Sequence, residues 1–93
     1  MNINFTTNSL KRIFGKNVKY YRFTKKYTQE KLAELVNIDV TFLSDIERGN
    51  KGASFELISK LANTLGVKVS DLFDEKILNK HIPNDIRNFY FHD

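Results

Sequence analysis

Side chains that could attack a substrate, hold a metal or relay a proton are scarce in these 93 residues. There is no cysteine, which removes disulfides, thiolate zinc sites and a cysteine nucleophile. The two histidines, His81 and His92, lie near the C-terminal end and read as exposed polar residues, so no metal site and no cofactor are expected. No nucleophile with an adjacent base and no paired carboxylates stand out, and the chain reads as non-enzymatic. Positive charge, in contrast, is plentiful and unevenly spread. Residues 1–31 hold eight Lys or Arg against Glu30 alone, a net charge of +7, whereas residues 32–93 hold seven against ten acids, a net of −3. A basic half of this kind attracts phosphate through counterion release, and it equally suits a solvated helix face.

Such groups act only if a frame presents them, and the periodicity predicts an all-α one. Leu10, Ile13, Phe14, Asn17, Val18 and Tyr21 repeat at helical spacing, with Ser9 placed to cap a first helix. Thr28 precedes a second helix beginning at Gln29, and Glu30 in its first turn complements the helix dipole. Asp39 precedes a short third helix, Val40 to Glu47, which Gly49 terminates. Ser54 opens a fourth, in which Ile58, Leu61, Ala62 and Leu65 share a face and Gly66 supplies the stop. Ser70 opens a brief fifth through Leu72 and Phe73. No segment between residues 9 and 75 alternates as a strand does.

The second and third helices carry the most specific pattern: Gln29, Ala33, Asn37, Leu43 and Ile46. Two helices joined by a tight turn at a steep angle need a small residue where their backbones approach, and Ala33 supplies it. The turn needs a residue that tolerates the left-handed conformation, which Asn37 does more readily than most. Leu43 and Ile46, three apart, bury one side of the third helix and leave Val40, Thr41, Ser44 and Asp45 outward.

Three runs in order, Thr28-Gln29-Glu30-Lys31-Leu32-Ala33-Glu34-Leu35, Leu43-Ser44-Asp45-Ile46-Glu47-Arg48-Gly49 and Leu65-Gly66-Val67-Lys68-Val69-Ser70-Asp71-Leu72-Phe73, resemble the Cro and phage-repressor type of helix-turn-helix family. The resemblance spans about residues 12 to 75. Within the family it is similar to short stand-alone regulators such as restriction-modification controller proteins. It implies a five-helix, lambda-repressor-like domain that binds double-stranded DNA and lays its third helix in the major groove. Base contacts then fall to Val40, Thr41, Ser44 and Asp45. Val40 and Thr41 suit a thymine methyl, Ser44 donates or accepts, and Asp45 either accepts from a cytosine amine or holds a neighbouring Lys or Arg. Phosphate contacts fall to Gln29 at the start of the second helix and to Arg48, Asn50 and Lys51, with Gly52 permitting close approach. Phe42 is assigned to the same backbone-contacting set, where it meets sugar or a thymine methyl or else packs inward. The resemblance also implies that Arg22 pairs with Glu47, a structural link and not a contact. Tyr20, Tyr21, Phe23 and Tyr27 suit stacking against single-stranded bases, but core or core rim is the simpler reading.

These elements divide the chain into an N-terminal tail (1–8), the helix-turn-helix domain (9–75) and an apolar C-terminal extension (76–93). Ile77, Leu78, Ile82, Ile86, Phe89, Tyr90 and Phe91 are too apolar for a solvated tail. Pro83 or Asn84 opens a short final helix suited to folding back or to joining a second subunit, and a homodimer is expected because a twofold operator needs two reading helices. The competing possibility is an antitoxin or similar regulator whose extension binds a partner protein. No run approaches the roughly 20 apolar residues of a membrane span and the polar start lacks a signal core, so a cytoplasmic, transcription-regulating protein without membrane attachment is expected.

Overall fold

The first helix starts three residues earlier than the hydrophobic period suggests, because the cap is Thr6. Its Oγ1 accepts from the Ser9 amide at 3.0 Å while the Ser9 hydroxyl accepts from the Thr6 amide at 3.0 Å. Ser9 is thus the third helical residue of a reciprocal capping box, and Thr7 and Asn8, placed in the tail by sequence, are helical. A computed structural model describes residues 5–79. In it α1 runs Thr7–Thr24, α2 Gln29–Val36, α3 Val40–Glu47 and α4 Phe55–Leu65, followed by 3₁₀ helices at Val69–Phe73 and Glu75–Asn79. No strand occurs among the described residues.

Local chemistry sets most of these boundaries. Thr28 and Ser54 accept hydrogen bonds from Lys31 and Leu57 at 3.0 and 3.1 Å. Asp39 takes the extended N-cap conformation of α3 but makes no side-chain cap bond, so its contribution there is the negative charge beside the helix start. Asn37 closes α2 in the left-handed conformation, φ 59° and ψ 52°. The fifth helix is a 3₁₀ segment, not an α-helix, and it begins after Lys68, whose amide donates to Asp71 at 2.9 Å, instead of at a Ser70 cap.

The core is shared by all four helices. Phe14 and Val18 of α1 meet Leu32, Ala33 and Val36 of α2, Leu43 and Ile46 of α3, and Leu57, Leu61, Ala62 and Leu65 of α4, with Leu72 closing the base. Each buried aliphatic of this size contributes about 1.5–3 kcal/mol relative to exposure. Asn17, which shares the apolar face of α1, is fully buried and spends its amide group on carbonyls. Its Nδ2 donates to Ile13 within the helix and to Asp74, both at 3.0 Å, fastening the junction between the two 3₁₀ helices to α1.

The second 3₁₀ helix packs on α1 and buries Ile77, while Leu78 stays exposed. The extension therefore begins by folding back onto its own chain. The rest of it, including Ile82, Ile86, Phe89, Tyr90, Phe91, the helix expected from Pro83 or Asn84, and both histidines, lies outside the described residues.

One close approach controls where α3 sits. A Cβ on Gly15 would stand 2.1 Å from the Ile46 carbonyl oxygen and 3.0 Å from that of Glu47. Both neighbours are backbone, so neither can swing aside. Gly15→Ala should therefore lower stability by about 2 kcal/mol or more, because the helix-propensity gain of about 1 kcal/mol is outweighed by forced separation of α1 and α3. Gly52→Ala, where a Cβ meets only the flexible Lys11 side chain at 3.8 Å, should be near neutral. Urea denaturation followed by circular dichroism distinguishes the two; equal midpoints would show that the crossing is not tight.

Candidate nucleic-acid interface

The outer face of α3 is built from what its inner face anchors. Leu43 and Ile46 are completely buried, which leaves Thr41 exposed, Val40 at the edge of exposure, and Ser44 and Asp45 half-buried on the opposite side. The far end of the helix is held by charge. Glu47 is 6% exposed and Arg22 fully buried, and they meet in a two-pronged ion pair: Nε donates to Oε2 at 2.7 Å and Nη2 to Oε1 at 2.8 Å. Arg22 Nη1 also donates to the Tyr27 carbonyl at 3.0 Å, tying the α1–α2 turn into the same cluster.

Gln29 joins this cluster instead of standing free at the start of α2. Its Nε2 donates to Glu47 Oε1 at 3.0 Å, so one carboxylate gathers donors from α1 and α2. The side chain is half-buried, which leaves part of the amide at the surface beside the first turn of α2.

The polar groups of α3 and the following loop form a second network. Arg48 Nη1 donates to Ser44 Oγ at 2.7 Å and Nη2 to Asp45 Oδ1 at 2.5 Å. Lys51 Nζ lies 3.8 Å from Asp45 Oδ2 and 5.9 Å from the centre of the Phe42 ring. Phe42 itself is half-buried and packs against the core with the Lys51 ammonium over its ring. Asn50 and Gly52 are exposed, and the Asn50 amide donates to the Asp45 carbonyl at 2.9 Å, which folds the loop back over the end of α3.

Sequence reasoning did not place Lys11 and Arg12 here. Gly49, left-handed at φ 79°, would set a Cβ 3.1 Å from the Arg12 Cα, and a Cβ on Gly52 would meet the Lys11 side chain. The loop therefore runs against the early turns of α1, with Arg12 beside Gly49 and Lys11 beside Gly52. The charge asymmetry of residues 1–31 was the available signal, but only the fold tells which of those cations adjoin the loop. The aromatic set does not form a stacking platform: Phe23 is buried, Tyr21 and Tyr27 line the core, and Tyr20 sits edge-on to Tyr21 with ring centres 5.1 Å apart. Among the described residues no three His, Cys, Asp or Glu side chains gather as metal ligands, and no helix is long and apolar enough to cross a membrane.

A short exposed helix, clamped across a tight turn and flanked by cations, defines a helix-turn-helix domain, and the sequence matches the helix-turn-helix family over residues 18–72. The chain belongs to that family. It is 41% identical over 69 residues to the control protein C.BamHI of Bacillus amyloliquefaciens, an alignment covering 73% of this chain and 85% of the relative. The immunity repressor protein of Bacillus phage phi105 is 36% identical over 66 residues, 71% of this chain and 46% of the repressor. Among solved structures, the restriction-modification controller protein C.AhdI from Aeromonas hydrophila superposes with a TM-score of 0.64 at 33% identity, over 68% of this chain and 96% of the other.

The cluster around Glu47 makes a sharp prediction. Glu47→Ala removes the carboxylate that pairs with a fully buried guanidinium and should cost about 3–5 kcal/mol, the loss typical of stranding one member of a buried pair. Chemical denaturation measures it; a loss under 1 kcal/mol would mean that Arg22 finds other acceptors.

Proposed function

We propose that this protein is a transcriptional regulator that binds double-stranded DNA sequence-specifically, as a homodimer on a palindromic site, with α3 in the major groove. The observation that carries the reading is the division of α3 into a locked inner face and an accessible outer one. Leu43, Ile46 and Glu47 are buried, while Thr41 faces solvent with Val40, Ser44 and Asp45 around it. A helix so held fits the major groove, and its N-terminal half meets base edges. Val40 and Thr41 approach thymine methyls, and Ser44 and Asp45 offer polar groups to neighbouring bases. The exposed part of the Gln29 amide with the first turn of α2 on one side, and Arg48, Asn50, Lys51 and Lys11 on the other, take the phosphates flanking the groove, with Phe42 beside them. The names of the relatives, which include controllers of restriction-modification and a phage repressor, agree with gene regulation as the outcome. A twofold pair of such domains would set its two reading helices about 34 Å apart, one turn of duplex. The same reading places the protein in the cytoplasm, where its DNA is, and assigns it no catalytic step.

Selection of bound duplexes from a random pool tests this directly. An inverted repeat with half-sites about 10 base pairs apart is the expected motif. On the recovered duplex, Thr41→Ala and Ser44→Ala should each cost about 1 kcal/mol or more and relax preference at one position, with little change on random DNA. Lys51→Ala should weaken the selected complex and reduce the slope of log affinity against log salt by about one. Fluorescence anisotropy across a salt series reads all three; equal losses on selected and random duplexes for the α3 variants would defeat sequence reading by this helix.

A further inference from the structure

Asp45 is an odd residue to present to DNA. It carries negative charge on the face that approaches phosphates, and a partner three residues along a surface helix contributes little to stability. Aspartate is also a poorer helix former than most alternatives at that position. Its surroundings give it another role. Each carboxylate oxygen faces a cation, Oδ1 toward Arg48 Nη2 at 2.5 Å and Oδ2 toward Lys51 Nζ at 3.8 Å. The acid lies beneath its partners: its side chain is 20% exposed, against 58% for Arg48 and 59% for Lys51. The Arg48 guanidinium is also bonded to Ser44, so it is folded onto the outer face of α3 and not extended toward solvent.

We propose that Asp45 is a specificity-determining residue that works through these two cations, withholding Arg48 and Lys51 from phosphates unless the bases opposite it offer a hydrogen-bond donor in its place. The inference rests on the DNA-binding reading above and assigns one residue a discriminating part in it. On a random duplex, moving either cation to a phosphate strips the carboxylate of its partner inside a drying, negatively charged seam. The cations therefore stay on Asp45, and two backbone contacts are lost. Where the sequence sets a cytosine or adenine amine against the carboxylate, the acid is compensated and both cations are released to the backbone. Base identity is thereby converted into a difference in the number of phosphate contacts, and discrimination at one base pair is amplified by electrostatics that carry no sequence information themselves.

The test compares the full chain with Asp45→Asn on the selected duplex and on a random duplex by anisotropy between about 50 and 300 mM salt. Asp45→Asn should bind random DNA about tenfold more tightly at low salt, with a salt slope steeper by about one to two, the signature of released cations. The ratio of selected to random affinity should fall at least as far. Glu56→Gln, which removes an exposed charge paired to Lys60 on α4, should leave that ratio unchanged. In an Arg48→Ala/Lys51→Ala background, Asp45→Asn should change random binding no more than Glu56→Gln does. Random-DNA affinity within twofold of the parent, or an equal gain without the two cations, overturns the inference. A parent protein that binds neither duplex overturns the DNA-binding reading itself, and so the two failures are told apart.

Discussion

A carboxylate taken out of water must be met by donors, and in this fold that requirement falls on Glu47, the last residue of α3. Its two oxygens receive Arg22 from α1 and Gln29 from α2, so three helices converge on one charge. The geometry is only reachable because Gly15 lets α1 lie against the carbonyls of Ile46 and Glu47. The absence of a side chain at residue 15 and the presence of one at residue 47 are thus one constraint seen from two helices. A buried ion pair of this kind adds little net stability over an apolar substitute, but its donors have fixed directions. It sets the rotation of α3 about its own axis, which apolar packing alone leaves loose.

That rotation matters because α3 is only eight residues long. An isolated helix of this length is not stable in water, and two apolar anchors on one face would allow it to rock. With Leu43 and Ile46 seated and Glu47 clamped, the outward residues are determined: Thr41 exposed, Ser44 and Asp45 beside it. The clamp also reaches the surface through Gln29, so the start of α2 and the end of α3 share a carboxylate.

Much of this was legible in the sequence where the signal is local. Thr28, Asn37, Ser54 and Gly66 do what their types predict, because a cap or a left-handed turn depends on a few neighbouring atoms. Helices α2, α3 and α4 fall where the periodicity places them for the same reason. The misses are tertiary or competitive. Ser9 is capable of capping, but Thr6 is placed to make the reciprocal pair with it, and composition does not rank two such caps. Gly15 looks like an ordinary weak point in a helix until α3 is known to cross there. Asn17 follows the apolar spacing without revealing that a carbonyl 57 residues away would take its amide. The final short helix of the family pattern is 3₁₀ because the segment from Val69 to Phe73 makes a single turn between extended residues. The neighbourhood of Lys11, Arg12, Arg48 and Lys51 belongs to the fold, since a charge sum records how many cations there are and not which of them adjoin.

A small basic domain faces a conflict between affinity and discrimination. Cations raise affinity for every duplex alike, so adding them tightens binding to competing random sequence without widening the gap to the right one. The two networks of this protein address the conflict at different depths. The buried one uses its charges internally: Arg22 and Glu47 cancel, and what they supply is the direction in which α3 points. The surface one keeps Arg48 and Lys51 close to Asp45, so positive charge is present at the outer face of α3 but partly neutralised where it stands. Lys11 and Arg12 lie on the early turns of α1 against the loop that follows α3, and in the proposed DNA-binding reading theirs is the long-range attraction. Buried charge thus sets orientation, and under the proposed reading attraction falls to the cations on α1 and selectivity to the cations that must first exchange a partner. A substitution at each level should leave a different trace: in folding stability, in the overall strength of binding, or in the gap between sequences.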